Sequence, residues 1–339
     1  MATALFSTAI GGFVMATFPS FLVLQILYAY WGFTTVFLFW GAMIKATRLW
    51  GGGKNQGKAF GFLDGGRGVV AASMGSIGVF IFSIFLKTEI DLASVVEKQE
   101  AFRYVILFSS FTVIIIGALV LYFMDNEQKH QVKKNSSINS IKNIKSVLKI
   151  KSVWLMMMII MSAYVGYKLT DIYSLYASEV MLYNQIEAAK IGALQLYLRP
   201  LVCLVIGLLA DKTSSIRWII IGFFIMLIGA LLFASGIITS SMNIIFSLSL
   251  IITAVGTYAI RALYFAVFNE GRIPLELTGT AVGIISIIGY TPDIFATPII
   301  GYLLDTYPGI IGHQYVFMIL VIFSILGLFA SIKFSKLNS

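Results

Sequence analysis

The sequence predicts an all-α, polytopic membrane protein with about 10 transmembrane helices, and three observations support this. Of 339 residues, 59% are hydrophobic and only 12% charged, and the mean hydropathy is +0.92; a water-soluble core of this size needs no such excess of apolar surface. The apolar residues also come in runs of about 20 rather than in short alternating segments. In lipid every backbone N–H and C=O must be satisfied within its own segment, so such runs mean helices and not a barrel. Finally, Lys and Arg fall mostly between the runs, so the net charge of +9 reports membrane topology and not a nucleic-acid surface.

Bounded by charged or turn residues, the runs lie near 2–18, 20–43, 60–86, 102–124, 153–175, 189–210, 217–236, 242–266, 277–303 and 314–332. The first two are parted only by the turn at Pro19 and Ser20. The first begins at Met1, yet it lacks the basic leader and small-residue cleavage pattern of a signal peptide. Lys45, Arg48, Lys54 and Lys58 follow the second run, and segment 125–152 holds seven lysines (Lys129, Lys133, Lys134, Lys142, Lys145, Lys149, Lys151) against two acids. The positive-inside rule places both connections in the cytoplasm. Glu89, Asp91, Glu97 and Glu100 before the fourth run, and Glu179 and Glu187 after the fifth, mark the outer side. Strict alternation then puts 211–217, 269–276 and the tail from Lys333 inside, and each carries basic residues.

The lysine-rich segment divides the chain into a four-helix bundle over 1–124, a cytoplasmic linker over 125–152, a six-helix bundle over 153–334 and a short tail over 335–339. A solvated connector beside a negative membrane surface is the plain reading of the linker; contact with anionic lipid is the alternative. Cys203 stands alone inside an apolar run, which excludes a disulfide framework or a cysteine metal cluster and reads as a small core residue.

The sixth run ends Gly207-Leu208-Leu209-Ala210-Asp211-Lys212, and Arg217 opens the next. A glycine there permits close helix approach, and an aspartate at a helix end can receive another helix N-terminus or an arginine. This stretch resembles the cytoplasmic loop signature Gly-x-Leu-Ala-Asp-Arg-x-Gly-Arg of the major facilitator superfamily, in the copy between that family's eighth and ninth helices. Lys212 stands where the signature has arginine, and Ser214 and Ser215 stand near its glycine. The resemblance extends over nearly the whole chain, with Arg67-Gly68 in the third run and Gly279, Gly283, Gly289, Pro292 and Gly301 in the ninth. Lys58-Ala-Phe-Gly61 and Thr280-Ala-Val-Gly283 open equivalent helices in the two halves, a trace of repeat symmetry.

By that anchor the resemblance implies two helical bundles that rock about a site at mid-bilayer, with Gly207, Asp211, Lys212 and Arg217 forming a latch that breaks and reforms. It implies that the four runs before the linker are the family's third to sixth helices and that its first two are absent, which would remove one cavity wall. It also implies a monomer, and the stretch 39–67 is most similar to the organic-anion and sugar-phosphate exchanger branch.

Charges within hydrocarbon are costly and therefore mark function. Lys168 and Asp171 in the fifth run, Arg199 in the sixth, Arg261 in the eighth and Asp293 in the ninth qualify. Asp64 and Arg67 are set aside as lying within about two turns of a cytoplasmic helix end, in reach of water. Three cations against two anions leave a positive interior suited to a carboxylate or phosphate. Lys168, Arg199, Arg261 and the neighbouring Tyr167 are the candidate solute contacts, and Asp171 and Asp293 the candidate coupling or gating groups. The bland alternatives stand beside these: Lys168 and Asp171 neutralise one another at i, i+3, Arg199 satisfies a carbonyl freed by Pro200, and Asp293 pairs with Arg261 or Arg199. His130 and His313 both fall in loops, which excludes a buried histidine relay.

Residues 51–59, Gly-Gly-Gly-Lys-Asn-Gln-Gly-Lys-Ala, have phosphate-loop spacing, but Ala59 replaces the magnesium-binding hydroxyl and a membrane helix precedes them. No catalytic grouping, cofactor motif or metal-ligand cluster is evident, so the expectation is a non-enzyme without cofactor. The expected function is alternating-access secondary transport of a small polar, anionic solute across an inner membrane. A proton-coupled carrier of sugar or drug is the second reading, and a truncated family member without transport activity the third.

Overall fold

A computed structural model describes residues 1–86, 93–124 and 140–338. Glu89, Asp91, Lys129, His130, Lys133 and Lys134, on which part of the topology expectation rests, lie outside the described residues. All regular structure among the described residues is helical: α1 (Ala2–Met15), α2 (Phe21–Gly32), a π-helical stretch (Phe33–Trp40), α3 (Gly41–Gly51), α4 (Gln56–Phe85), α5 (Val95–Phe123), α6 (Ser140–Leu148), α7 (Lys151–Lys168), α8 (Ile172–Glu179), α9 (Gln185–Lys212), α10 (Ser215–Ala234), α11 (Asn243–Leu263), α12 (Thr278–Gly289), α13 (Pro292–Thr306) and α14 (Ile310–Asn338).

Among the described residues 9 helical spans are long and apolar enough to cross a membrane. Three of them join consecutive elements across a local break: α2 with α3, α7 with α8, and α12 with α13. The expected span not among them, 2–18, corresponds to α1, whose 14 residues reach only about 21 Å at 1.5 Å per residue, short of a hydrocarbon core of about 30 Å. Helix starts follow ordinary capping chemistry. Ser94 accepts from the Glu97 N–H, and Asn184 and Glu187 form a reciprocal capping box.

The chain packs as two compact units, Met1–Ala46 with Val70–Asn143, and Thr47–Val69 with Ile144–Ser339. In the first, α1 lies along α5, with Phe13 edge-on to Phe111 at 5.3 Å. Polar side chains stitch it to its neighbours: Tyr30 donates to the Ser7 carbonyl at 2.7 Å, Trp31 to the Thr8 carbonyl at 3.0 Å, and Arg103 to the Ala16 carbonyl at 3.0 Å.

In the second unit α10 packs between α11 and α14. Near the α8 end lies a buried aromatic cluster of Tyr173, Tyr176, Phe233, Phe246 and Phe317. His313 belongs to this region and corrects the expectation that it lies in a loop. The turn at Pro308-Gly309, with Gly309 at φ +74°, lets α14 begin at Ile310. That start carries His313 into the helix, fully buried under Tyr176 with Nε2 2.9 Å from Glu179 Oε2.

The first part of α4 lies on α9 in the same unit. Gly57, Gly61, Gly65 and Gly68 face Gly207, Cys203, Pro200 and Arg199. A Cβ at Gly61 would sit 2.5 Å from the Cys203 carbonyl oxygen, so only glycine allows the two backbones this close. This small-residue face brings the next feature into the interior.

Candidate functional site

Five elements of the second unit converge on one set of polar groups. α4 contributes Asp64 and Arg67; Asp64 is buried because it sits on the same helical face as Gly61 and Gly65. α9 contributes Gln195, Arg199 and Cys203, with Pro200 inside the helix. α11 contributes Tyr258 and, in its last turn, Arg261. α7 ends with Tyr164, Tyr167 and Lys168, after which the chain tightens into a 3-10 turn over Leu169–Asp171. There Thr170 donates to the Tyr167 carbonyl at 2.6 Å, a local bond that competes with the regular helical ladder. α13 begins at Pro292 with Asp293 in its first turn, proline being favoured where a helix N–H would have no partner. Two of the three broken spans thus meet at these side chains, and irregular backbone at membrane depth is tolerated where it is enclosed by protein or lines a cavity.

The buried centre is Asp64. Arg199 grips it side-on, Nη2 to Oδ1 at 2.8 Å and Nε to Oδ2 at 3.2 Å. Arg261 Nε and Arg67 Nη1 each stand 3.4 Å from Oδ1, and the Cys203 thiol is 3.5 Å from Oδ2. Three guanidinium groups therefore surround one carboxylate. Arg261 is 7% exposed, and its Nε and Nη1 have no hydrogen-bond partner among the described residues. Its guanidinium carbon lies 3.6 Å from the Tyr167 ring centroid, within cation–π range, and that of Arg199 lies 5.8 Å from the same ring. Gln195 accepts from the Tyr258 hydroxyl at 3.2 Å, while its own amide nitrogen is a further buried donor with no partner among the described residues. Unmet donors with surplus positive charge favour a ligand that brings acceptors and negative charge.

A second ion pair lies on the other side of the tyrosines. Lys168 Nζ is 2.5 Å from Asp293 Oδ1, and Tyr164 donates to Asp293 Oδ2 at 3.0 Å. Lys168 lies over the Tyr164 ring at 5.7 Å, Tyr164 packs on Tyr167 at 5.7 Å and on Tyr290 at 4.8 Å, and the Tyr264 and Tyr290 hydroxyls are 3.3 Å apart. Tyr164 and Tyr167 thus separate the two ion pairs. Lys168 pairs with Asp293 rather than with Asp171, which is exposed at the end of the 3-10 turn, and Asp293 is bonded to neither Arg199 nor Arg261.

Gly207, Asp211, Lys212 and Arg217 lie apart from this centre. Asp211 accepts from the backbone N–H groups of Gly57 at 2.6 Å and Lys58 at 2.8 Å. It therefore receives the N-terminus of α4, where a carboxylate meets unpaired N–H groups and the positive end of the helix dipole. Gly207 lets that terminus approach; a Cβ there would meet the Gly57 carbonyl oxygen at 2.5 Å. Lys212 and Arg217 are exposed. Glu270 does for α10 what Asp211 does for α4, accepting from Ser215 N at 2.7 Å and Ile216 N at 3.2 Å. Arg48, read from the sequence as a loop charge, is buried against Asn269 and Thr278, to which it donates at 2.7 Å each.

Asp64 is the residue that sequence reasoning set aside. Its distance from a helix end suggested water, but the glycine face of α4 turns it inward. The spacing Gly57, Gly61, Gly65, Gly68 was the available signal, since glycines one turn apart mark a packed face and Asp64 adjoins it. Among the described residues no group of three or more His, Cys, Asp or Glu side chains could hold a metal ion.

A family model described as Major Facilitator Superfamily matches residues 1–297. The chain is 28% identical over 312 residues to the inner membrane protein YqcE of Escherichia coli (strain K12), spanning 90% of this chain and 71% of that protein. It is 26% identical to the inner membrane protein YihN of the same organism, spanning 99% of this chain and 79% of that one. Among solved structures, the fold is similar to that of FucP, a transporter of the same superfamily in its outward conformation, with a TM-score of 0.73 at 13% identity over 100% of this chain and 82% of that one. It is also similar to a bacterial homologue of the iron transporter ferroportin in an outward-facing state, with a TM-score of 0.62 at 11% identity over 99% of this chain and 82% of that one.

Proposed function

Because the chain belongs to the major facilitator superfamily, we propose that it is a multi-pass inner-membrane transporter that moves a small anionic solute by alternating access, with Arg261 as the principal solute contact. Two relatives named inner membrane proteins support the location. One observation carries the anionic reading: Arg261 is buried with two unmatched donors, in a group of three guanidinium side chains that share one carboxylate. A neutral solute offers no offset for that surplus, whereas a carboxylate or phosphate supplies both charge and acceptors.

Tyr167 holds the Arg261 guanidinium flat and so fixes which edge faces a ligand. Arg199 is a weaker candidate for direct contact than the sequence suggested, since Asp64 occupies its fork. Lys168 and Asp293 join two broken spans, and in this reading they open and close with the transport cycle. Asp211, with Gly207, acts at the α4 terminus as a latch.

The test is uptake by purified protein in liposomes, using labelled dicarboxylate, sugar-acid and sugar-phosphate solutes beside a neutral sugar. The expected result is uptake of at least one anion. Arg261→Ala should lower its initial rate about 100-fold, in line with the loss of one charge-assisted contact of up to about 3 kcal/mol, and Arg261→Lys should restore part of it. Uptake of the neutral sugar alone would overturn the anionic reading, and uptake of nothing by well-folded protein would favour a chain without transport activity.

A further inference from the structure

We propose that α6, Ser140–Leu148, is a membrane-surface helix that lies on the cytoplasmic leaflet and binds anionic phospholipid headgroups through Lys145 and Lys149. This contact belongs to the linker and not to the solute site, and it stands whether or not the solute is an anion.

The two faces of α6 carry it. At about 3.6 residues per turn, Ile141, Ile144 and Leu148 recur at i, i+3 and i+7 and form one stripe. Lys142, Lys145 and Lys149 repeat that spacing one residue on and form the stripe beside it. The aliphatic stripe is open: Ile141 is 71% exposed, Ile144 42% and Leu148 38%. Val147 is fully buried, so the helix is seated on the protein and still leaves the stripe uncovered. A connector dissolved in water has no use for three exposed aliphatic side chains on one face. An interfacial helix needs them, sunk at the boundary between headgroups and acyl chains.

Position selects lipid as the cover. Only Lys149 and Ile150 separate α6 from α7, which begins the next membrane span at Lys151. The turn is closed by the Ile150 N–H donating to the Val147 carbonyl and the Val153 N–H to the Ile150 carbonyl, both at 3.0 Å. Two extended residues reach at most about 7 Å, and the headgroup layer is itself about 5–8 Å deep on each side of the hydrocarbon core. The end of α6 is therefore held at headgroup level. Trp154, half exposed in the first turn of α7, donates its indole N–H to the Leu148 carbonyl at 2.9 Å. An amphipathic ring is favoured at the membrane interface, and here it is tied to the last residue of α6.

Charge selects the kind of lipid. Residues 128–170 include no acid, and 140–151 hold four lysines. Lys145 and Lys149 are exposed and form no ion pair among the described residues. A lysine beside an apolar stripe lays its stem along the lipid and lifts its ammonium group to the headgroups. There the negative surface potential of the cytoplasmic leaflet, the side the positive-inside rule gives this segment, attracts it. The contact fixes the depth and tilt of α7, the helix that carries Tyr164, Tyr167 and Lys168.

The experiment uses full-length protein in nanodiscs of phosphatidylcholine, with or without phosphatidylglycerol, and an environment-sensitive fluorophore on Ile141→Cys. Cys203 is fully buried and stays unlabelled. With phosphatidylglycerol present, the emission should shift to the blue, and a nitroxide on the lipid chains should quench it better than iodide in solution does. In phosphatidylcholine alone the fluorophore should be more open to iodide. Lys145→Gln with Lys149→Gln should lower the docked-to-free ratio about tenfold or more in the anionic discs. Salt near 1 M, where the screening length is about 3 Å, should act on the wild-type lysines in the same direction. A fluorophore on Asn143→Cys, on the polar side of the helix, should stay open to iodide throughout.

A fluorophore on Ile141→Cys that iodide reaches equally in both kinds of disc would overturn the proposal, because α6 is then a solvated connector. Equal shielding in detergent and in both discs would also overturn it, since protein and not lipid then covers the stripe. Shielding by lipid that neither phosphatidylglycerol nor the lysine variant alters removes the anionic headgroup from the account. If the lysine variant fails to fold, the salt series on the protein that keeps its lysines decides the same point. None of these measurements depends on solute uptake, so their failure leaves the transport reading intact.

Discussion

Two carboxylates in the second unit each meet a cation, and they do so in opposite settings. Asp64 has a side chain 7% exposed and is enclosed by three guanidinium groups. Asp293 has a side chain 47% exposed and meets one ammonium group, itself 27% exposed, and one phenol. Water screens the second pair, so it exchanges partners at small cost and suits a gate. The first pair is desolvated, and removal of one member strands charge where nothing solvates it. Water access thus sets how cheaply each pair can exchange partners: the Asp293 pair at small cost, the Asp64 cluster only where another group meets the charge left behind.

The largest expected effect tests the buried side. Asp64→Ala should destabilise the second unit by about 3–5 kcal/mol, the usual cost of leaving a buried charge unpaired, read as a fall in Tm in detergent that added sulfate partly restores. A fall no larger than that of Lys168→Ala would erase the contrast. Lys168→Ala should itself cost about 1 kcal/mol or less in stability, since its pair is half open to solvent, while slowing solute uptake far more than that figure suggests. The smallest effect sharpens the comparison through salt. Raising ionic strength toward 1 M, where the screening length is about 3 Å, should abolish the stability difference between wild type and Lys168→Ala and leave that of Asp64→Ala nearly unchanged. Thermal unfolding of the three proteins across a salt series measures both.

What was readable in the sequence follows from which forces are local. The spans around 102–124 and 217–236 are visible as apolar runs because the bilayer requires each segment to satisfy its own backbone, and α5 and α10 appear there. The stretch Gly207 to Asp211 was likewise legible as a helix end built for close approach. Partners were not. Lys168 and Asp171 are neighbours at i, i+3, so pairing them is the local guess, yet the described bond runs to Asp293. His313 was misplaced because a glycine turn with positive φ lets the helix start at Ile310, ahead of the apolar run that begins at 314. Asp64 was discarded on distance from a helix end, a measure blind to which face of α4 is packed.

Composition and hydropathy by themselves determined that this is a helical membrane protein and where most of its spans run, because burial in lipid acts on each segment separately. Only the tertiary structure decided that Asp64 fills the Arg199 fork, that Arg261 retains unmatched donors and that Lys168 reaches Asp293. Electrostatic pairing is set by distances of a few ångströms between residues far apart in the chain, and only the packing of α4, α7, α9, α11 and α13 fixes those distances.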